Sequence, residues 1–309
     1  MRNNGPAILI AGPTASGKSA LALALAEEFG GTIINADSMQ VYRELRILTA
    51  RPTPGEEARV PHALYGFVPA SDAYSAGRFV RDAATAIEMA RAAGRRPILV
   101  GGTGLYFKAL LEGLSPVPPI PADIRTHWRQ MATEHGAYAL WQMLTDSDPE
   151  MAFRLDPNDT QRLVRAHEVL AATGRSLADW QRQPGKPVIA HEDAIKLALV
   201  PDRAELHARA DARFSRMVEL GALKEAESIA ALNLDPTLPA MRAIGVGPLV
   251  AAVRGEMPLV EAVIKAQTET RQYIKRQATW LNGNMITWNR INTQENEINL
   301  PSVIAFIQS

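Results

Sequence analysis

Eight residues, GPTASGKS at positions 12 to 19, carry the first chemistry this sequence offers. The pattern G-x-x-x-x-G-K-[ST] makes a loop whose backbone N–H groups turn inward around an oligophosphate. Gly12, Pro13, Thr14, Ala15, Ser16 and Gly17 form that loop, Lys18 adds a point charge, and Ser19 a hydroxyl suited to Mg2+. The pattern specifies phosphate and leaves its carrier open. A nucleoside triphosphate fits, and so does any other ligand that ends in a diphosphate.

A triphosphate-cleaving protein of this kind normally places an acid at the end of a second apolar strand, where it holds the water shell of the metal. The strand ILVGGTG (98–104) ends without an acid, and in LALVPDR (197–203) Asp202 follows a proline and reads as the start of a helix. IINADSMQVYR (33–43) does put Asp37 at a strand's carboxyl end. In a doubly wound sheet that end opens onto the same crevice as the phosphate loop. Asp37 is then a metal-shell carboxylate, a base acting on the group that accepts a transfer, or a plain turn residue before Ser38.

The elements that must hold these groups alternate between strand and helix. AILIA (7–11) is a short apolar run suited to a buried parallel strand, and SALALALAEEF (19–29) is rich in helix formers. A second strand is expected over 31–37, a helix over 74–94 with Ser75 as its cap and Gly94 past its end, and a third strand over 95–106 ending in a glycine turn. This βαβ rhythm predicts an α/β fold: a phosphate-loop core with a mostly parallel sheet flanked by helices. Pro116, Pro118, Pro119 and Pro121 interrupt it. Helical patterning follows, with Asp123 as one cap, Asp148, Pro149 and Glu150 opening another helix, and Asp159 before TQRLVRAHEVLAATG. Ser176 and Asp179 resemble a capping box. IKLALVP (195–201) restores a buried strand and 203–221 a long helix. Residues 118–189 therefore read as an all-helical insertion domain in a core made of 1–117 and 190–309.

Bulk composition narrows the partners. With 309 residues, 47% hydrophobic and 21% charged, the chain has ample core. Lys+Arg and Asp+Glu balance at 33 each, so any basic surface for nucleic acid must be local. The absence of cysteine rules out disulfides, thiolate-held zinc and thiol catalysis. The histidines (62, 127, 135, 167, 191, 207) lack ligand spacing. No apolar run approaches the length of a membrane span and the N-terminus lacks a secretory core, so a cytoplasmic protein is expected. In 265–280, Lys265, Arg271, Lys275 and Arg276 outnumber Glu269, a local basic excess on an expected helix. Such a run is ordinarily a solvated face and equally suits RNA. Tyr273 and Trp280 read as packing residues rather than base-stacking platforms.

GPTASGKS (12–19), NADSMQVYR (35–43), PHALYGF (61–67), AYSAGRFVRDA (73–83), PILVGGTGLYFKALLEGL (97–114), DPNDTQRLVRAHEV (156–169) and RQYIKRQATWL (271–281) occur in this order. Together they resemble the bacterial tRNA dimethylallyltransferase family, also called tRNA isopentenyltransferase, to about residue 290. The resemblance implies that the loop holds the diphosphate of dimethylallyl diphosphate, with Mg2+ near Ser19 and Thr14. It implies transfer of the five-carbon group to the exocyclic amine of the adenosine 3′ of the anticodon in tRNA. In that reading Asp37 is the base, Thr103 lines the channel, and Lys18 and Arg213 meet the leaving diphosphate. Arg213 shares one face of its helix with Arg209, four residues before it. The family also implies tRNA contacts from Asp37, Ser38, Met39, Gln40 and Thr103, from Arg125, and from Gln161, Arg162, Leu163, Val164 and Arg165. Arg242 is another, and a monomer is expected. In MRAIGVGPLV (241–250) the family often has an aromatic and a basic residue where this chain has Val246 and Gly247, so the side chain the family would bring to a contact near 247 is missing here.

Three rivals remain at this point. An ATP-dependent small-molecule kinase needs a metal-shell acid. A transferase acting on free adenine nucleotides has no use for the helical insertion, and an RNA-binding protein without activity has none for Lys18 and Ser19.

Overall fold

The computed structural model describes residues 5–291 and 299–309. It divides into two compact units, Met1–Leu111 with Val188–Ser309, and Glu112–Pro187.

The first unit opens with β1 (Ala7–Ala11), α1 (Lys18–Glu28), β2 (Gly31–Asn35), α2 (Pro54–Arg59), β3 (His62–Ala63), α3 (Ala76–Ala92), β4 (Arg96–Gly101) and α4 (Gly104–Glu112). The second unit is helical: α5 (Ala122–Ser147), α6 (Pro149–Arg154), α7 (Thr160–Thr173) and α8 (Leu177–Gln181). The first resumes with β5 (Ala194–Leu199), α9 (Arg203–Glu219), α10 (Ala222–Ala231), α11 (Val246–Val253), α12 (Leu259–Asn284), β6 (Asn289–Ile291) and α13 (Leu300–Gln308).

Among the described residues six strands form one sheet in the order β3-β2-β4-β1-β5-β6. Every neighbouring pair is parallel, with Leu9 beside Leu99 on one side and Lys196 on the other. Side chains alternate across the strand. Ile8 and Ile10 pack with Leu21, Leu25, Ile98 and Leu197 on the α1 face. Leu9 joins Ile34, Leu99, Phe79 and Phe107 on the other. Burial on both faces explains why these strands are apolar throughout. From β1 the chain runs to β2 at one side, and after β4 it crosses to β5 at the other, so a crevice opens between the carboxyl ends of β1 and β4.

Local capping follows the sequence at most ends. Ser75 accepts from the Arg78 N–H, Asp159 from Arg162, and Asp202 from Ala204 and Glu205. Two expectations fail. Pro121, not Asp123, precedes α5, and Asp123 lies in the first turn, where its charge meets the positive end of the helix. Ser176 accepts from Ala178, but Asp179 does not return to the cap, because Arg175 and Arg182 flank it and draw its carboxylate away. The second strand also stops at Asn35, which leaves Asp37 in the loop beyond.

In the helical unit, Leu140, Leu144, Met151, Leu163, Ala166 and Val169 make the core. α5 is broken at Gly136, whose φ of 77° only glycine adopts readily. The His167 ring stacks on Trp128 at 4.0 Å between centroids and meets the Leu140 carbonyl at 2.9 Å.

Candidate active site

The phosphate loop leaves β1 and enters α1 through Gly17, whose φ of 86° turns the chain into the helix. Gly12 must be glycine: a Cβ there would sit 2.7 Å from the Ser16 hydroxyl. That hydroxyl is buried and has no hydrogen-bond partner among the described residues. An orphaned polar atom inside an anion loop is the feature a bound diphosphate would satisfy. The Lys18 ammonium rests on the Pro13 carbonyl at 3.1 Å.

Asp37 is held by a residue that sequence reasoning did not single out. Asn35, fully buried at the end of β2, accepts from the Asp37 N–H at 2.9 Å and donates to the Asp37 carbonyl at 2.9 Å. It also donates to the Leu64 carbonyl beside β3. The Asp37 carboxylate accepts from the Met39 N–H. The turn after β4 packs onto the same loop: a Cβ on Gly101 would lie 2.0 Å from the Ala36 carbonyl oxygen. Thr103 follows, accepting from the Ser38 N–H at 3.0 Å and donating to the Ser38 hydroxyl at 3.3 Å. Gln40 braces the loop from below through the Thr49 and Ala50 carbonyls.

α9 and α12 close the crevice. Arg213 donates to the Thr14 hydroxyl, whereas its helical neighbour Arg209 pairs with Glu205. Thr14, Asp37, Ser38, Met39, Arg213, Arg242 and Tyr273 line a cavity of about 240 Å³, with Leu48, Phe214 and Met217 as an apolar wall. Tyr273 is thus part of the cavity rather than simple packing. Trp280 does pack, lying where a Cβ on Gly104 would collide with its ring.

The charges in this cavity sense one another. Burial is the main reason the Lys18 ammonium is pushed down to about 8, opposed by Asp37 and reinforced by Arg213. Burial also lowers Arg213, again opposed by Asp37. Burial, with Asp37 adding, raises the Tyr273 and Tyr106 phenols. A site with two crowded cations and one carboxylate lacks an anion, and a diphosphate supplies it. The arrangement can hold a diphosphate ester within reach of a proton acceptor.

Among the described residues no group of three or more His, Asp or Glu could hold a metal. A divalent ion would be held by the exposed Ser19 hydroxyl at the start of α1 together with phosphate oxygens and water, a hard-oxygen set that suits Mg2+.

The remaining residues of interest are spread more widely. On α7, Gln161 and Arg162 are exposed and Arg165 half-buried, and their nearest acids are on the same helix: Arg162 to Asp159 at 3.3 Å and Arg165 to Glu168 at 3.6 Å. Leu163 is fully buried, so its side chain belongs to the helical core and not to any outer surface, and Val164 is half-buried. Arg125 is exposed on α5. On α12, Lys265, Lys275 and Arg276 are exposed, but Arg271 is tied to Asp211 at 2.7 Å. Val246 is fully buried and Gly247 is exposed with open space beside it.

Comparison with known proteins gives the arrangement a context. The model of the IPP transferase family matches residues 40–284, and that of isopentenyl transferase residues 6–61. A tRNA dimethylallyltransferase of Parvibaculum lavamentivorans is 52% identical, covering 98% of this chain and 96% of its own. One from Rhodopseudomonas palustris is 53% identical over 96% of this chain and 93% of its own. Among solved structures, a full-length tRNA isopentenylpyrophosphate transferase from Bacillus halodurans aligns with a TM-score of 0.70 at 30% identity, over 98% of this chain and 95% of the other. A eukaryotic dimethylallyltransferase acting on tRNA aligns with a TM-score of 0.82 at 27% identity, over 97% of this chain and 78% of the other.

Proposed function

The chain belongs to the IPP transferase family, and on that premise we propose that it moves the dimethylallyl group of dimethylallyl diphosphate onto the N6 amine of the adenosine 3′ of the anticodon in tRNA, releasing diphosphate. The observation that carries this reading is the shared cavity, which Thr14 and Arg213 line together with Asp37.

The chemistry assigns each group a task. As the allylic carbon–oxygen bond breaks, negative charge grows on the diphosphate, and fixed donors stabilise it without reorganising. Backbone N–H groups of the loop, other than that of Thr14, which Gln277 holds, act with Lys18 and Arg213 as those donors; Pro13 has no N–H to give. A Mg2+ ion, when bound, supplies further positive charge against the leaving group, and Ser19 would hold it. Adenine's amino lone pair is delocalised into its ring, so the nitrogen attacks only as its proton leaves. Asp37 takes that proton, with Thr103 ordering the channel where amine and diphosphate meet. A stacked base cannot reach a carboxylate in a crevice, so the nucleotide is flipped out of the anticodon loop.

Recognition of the RNA falls to residues 37–40, to Arg125, to Gln161, Arg162 and Arg165 on α7, to Arg242, and to the exposed cations of α12. These groups provide phosphate and base-edge contacts. The buried Leu163 and half-buried Val164 keep α7 in place beneath them. The protein acts as a monomer in the cytoplasm. No helix among the described residues is long and apolar enough to cross a membrane.

Incubation with radiolabelled dimethylallyl diphosphate and, in separate reactions, tRNA, AMP or ATP tests the proposal. Label is expected in tRNA alone. Label in AMP, or release of phosphate from ATP in its place, would sink it.

A further inference from the structure

We propose that Gln277 is a positioning residue for the diphosphate: from α12, its side-chain amide locks the phosphate loop to the turn after β4 and so fixes the anion grip relative to the carboxylate. The inference rests on the transfer reading only for its meaning, since the grip itself is measurable without any transfer.

The Gln277 Oε1 accepts from the Thr14 N–H at 2.9 Å, and its Nε2 donates to the Gly102 carbonyl at 3.0 Å. Gln277 is thus joined to two loops that lie 263 and 175 positions away along the chain. Only 8% of the residue is exposed, so its amide is largely sheltered from bulk water. The fit leaves no slack: a Cβ on Gly102 would lie 2.1 Å from Nε2. Tyr273, one turn earlier on the same helical face, brings its phenol near both Gln277 and Thr103. Thr103 in turn holds Ser38 through its N–H and hydroxyl. Gln277 therefore ties Thr14 to Gly102, and Thr103, the residue after Gly102, ties that same turn to Ser38, the residue after Asp37.

The amide is the only side chain of this length that accepts toward one loop and donates toward the other. Glutamate would accept from Thr14 but turn an oxygen against the Gly102 carbonyl. Methionine would fill the space and make neither bond. With Thr14 already engaged, the loop amide keeps its orientation while the ligand arrives, and Arg213 adds a second hold through the Thr14 hydroxyl. Fixed loops bind a fixed anion better than loops that must be ordered on arrival.

The test measures the affinity of the full chain for inorganic pyrophosphate with magnesium, and for an anticodon stem-loop RNA, by titration calorimetry. In Gln277→Met, pyrophosphate affinity is expected to fall about tenfold, and further in Gln277→Glu. KM for dimethylallyl diphosphate should rise in step, while RNA affinity stays within about twofold. Should either variant fail to fold, Tyr273→Phe keeps the ring and removes the hydroxyl beside Gln277 and Thr103. A several-fold loss confined to pyrophosphate is expected there. Unchanged or tighter pyrophosphate binding in folded variants overturns the proposal, as does an equal loss for RNA, which would mark general loosening. Wild-type protein that binds pyrophosphate yet transfers nothing to RNA would defeat the transfer reading and leave this one standing. Failure of the wild type to bind pyrophosphate would end both.

Discussion

At the carboxyl ends of β1, β2 and β4 the loops are tied together by partners far off in the sequence, although Asp37 itself is set by Asn35 and the Met39 N–H, two residues to either side. Thr14 is bound by Arg213 and Gln277, and Ser38 by Thr103. On α7 of the helical unit they are held by neighbours three residues along, Arg162 by Asp159 and Arg165 by Glu168. The first region is half-buried and crowded with charge, and burial there moves Lys18 and Arg213 from their ordinary values. The second is a helix whose inner face is core and whose outer face carries cations into water. Bond-making chemistry needs reacting atoms fixed to a fraction of an ångström, which only a packed environment supplies. Contact with a flexible polyanion tolerates long, mobile side chains and gains from their exposure.

Three substitutions probe this contrast. The largest effect is expected at the crowded end. Asp37→Asn keeps the shape of the loop but removes the base, and turnover at saturating RNA should fall by ~10²–10⁴, far more than any change in RNA affinity measured alongside. Undiminished turnover would mean that the chemistry lies elsewhere and the contrast fails. A smaller effect is expected on α7. Arg162→Ala should weaken RNA binding a few-fold, and the slope of log affinity against log salt should shrink by about 1 if the residue meets one phosphate. Equal loss at every salt concentration would show a structural part instead, bringing α7 closer to the active-site pattern.

The smallest effect concerns the one buried histidine of the helical unit. Burial lowers the His167 imidazole below its ordinary value, with the Leu140 carbonyl and Asp148 opposing. The unfolded chain then binds this proton more readily than the folded one. Stability is therefore full above about pH 6.5 and declines as the pH falls below it. Calorimetric melting across that range should show the decline, and His167→Phe should flatten it. An unchanged slope in the variant would assign acid sensitivity to other groups.

Much of this was legible in the residues alone, because it depends on short-range rules. The loop at 12–19, the apolar strands, the caps Ser75, Asp159 and Asp202, and the helical patterning after the proline cluster are each set by neighbours a few positions apart. The local rule broke where a competing local partner intervened, as at Asp179, whose carboxylate met two arginines instead of its cap. Asn35, Tyr273 and Gln277 were not legible as site residues. Their side chains gain meaning only from the backbone atoms they meet, and an amide or a phenol in a helix or strand carries no signal of its own. Nor did charge counting reveal that Arg271 is spent on Asp211 while Arg276 lies over the Tyr273 ring at the edge of the cavity.

By itself, then, the sequence determined which groups exist to hold a phosphate and accept a proton, since backbone turns and residue types fix those abilities locally. Tertiary structure alone decided that α9 and α12 fold back over the loop and bring Arg213, Tyr273 and Gln277 to it. Such long-range closure depends on how buried faces pack, and packing is a property of the whole core rather than of any segment.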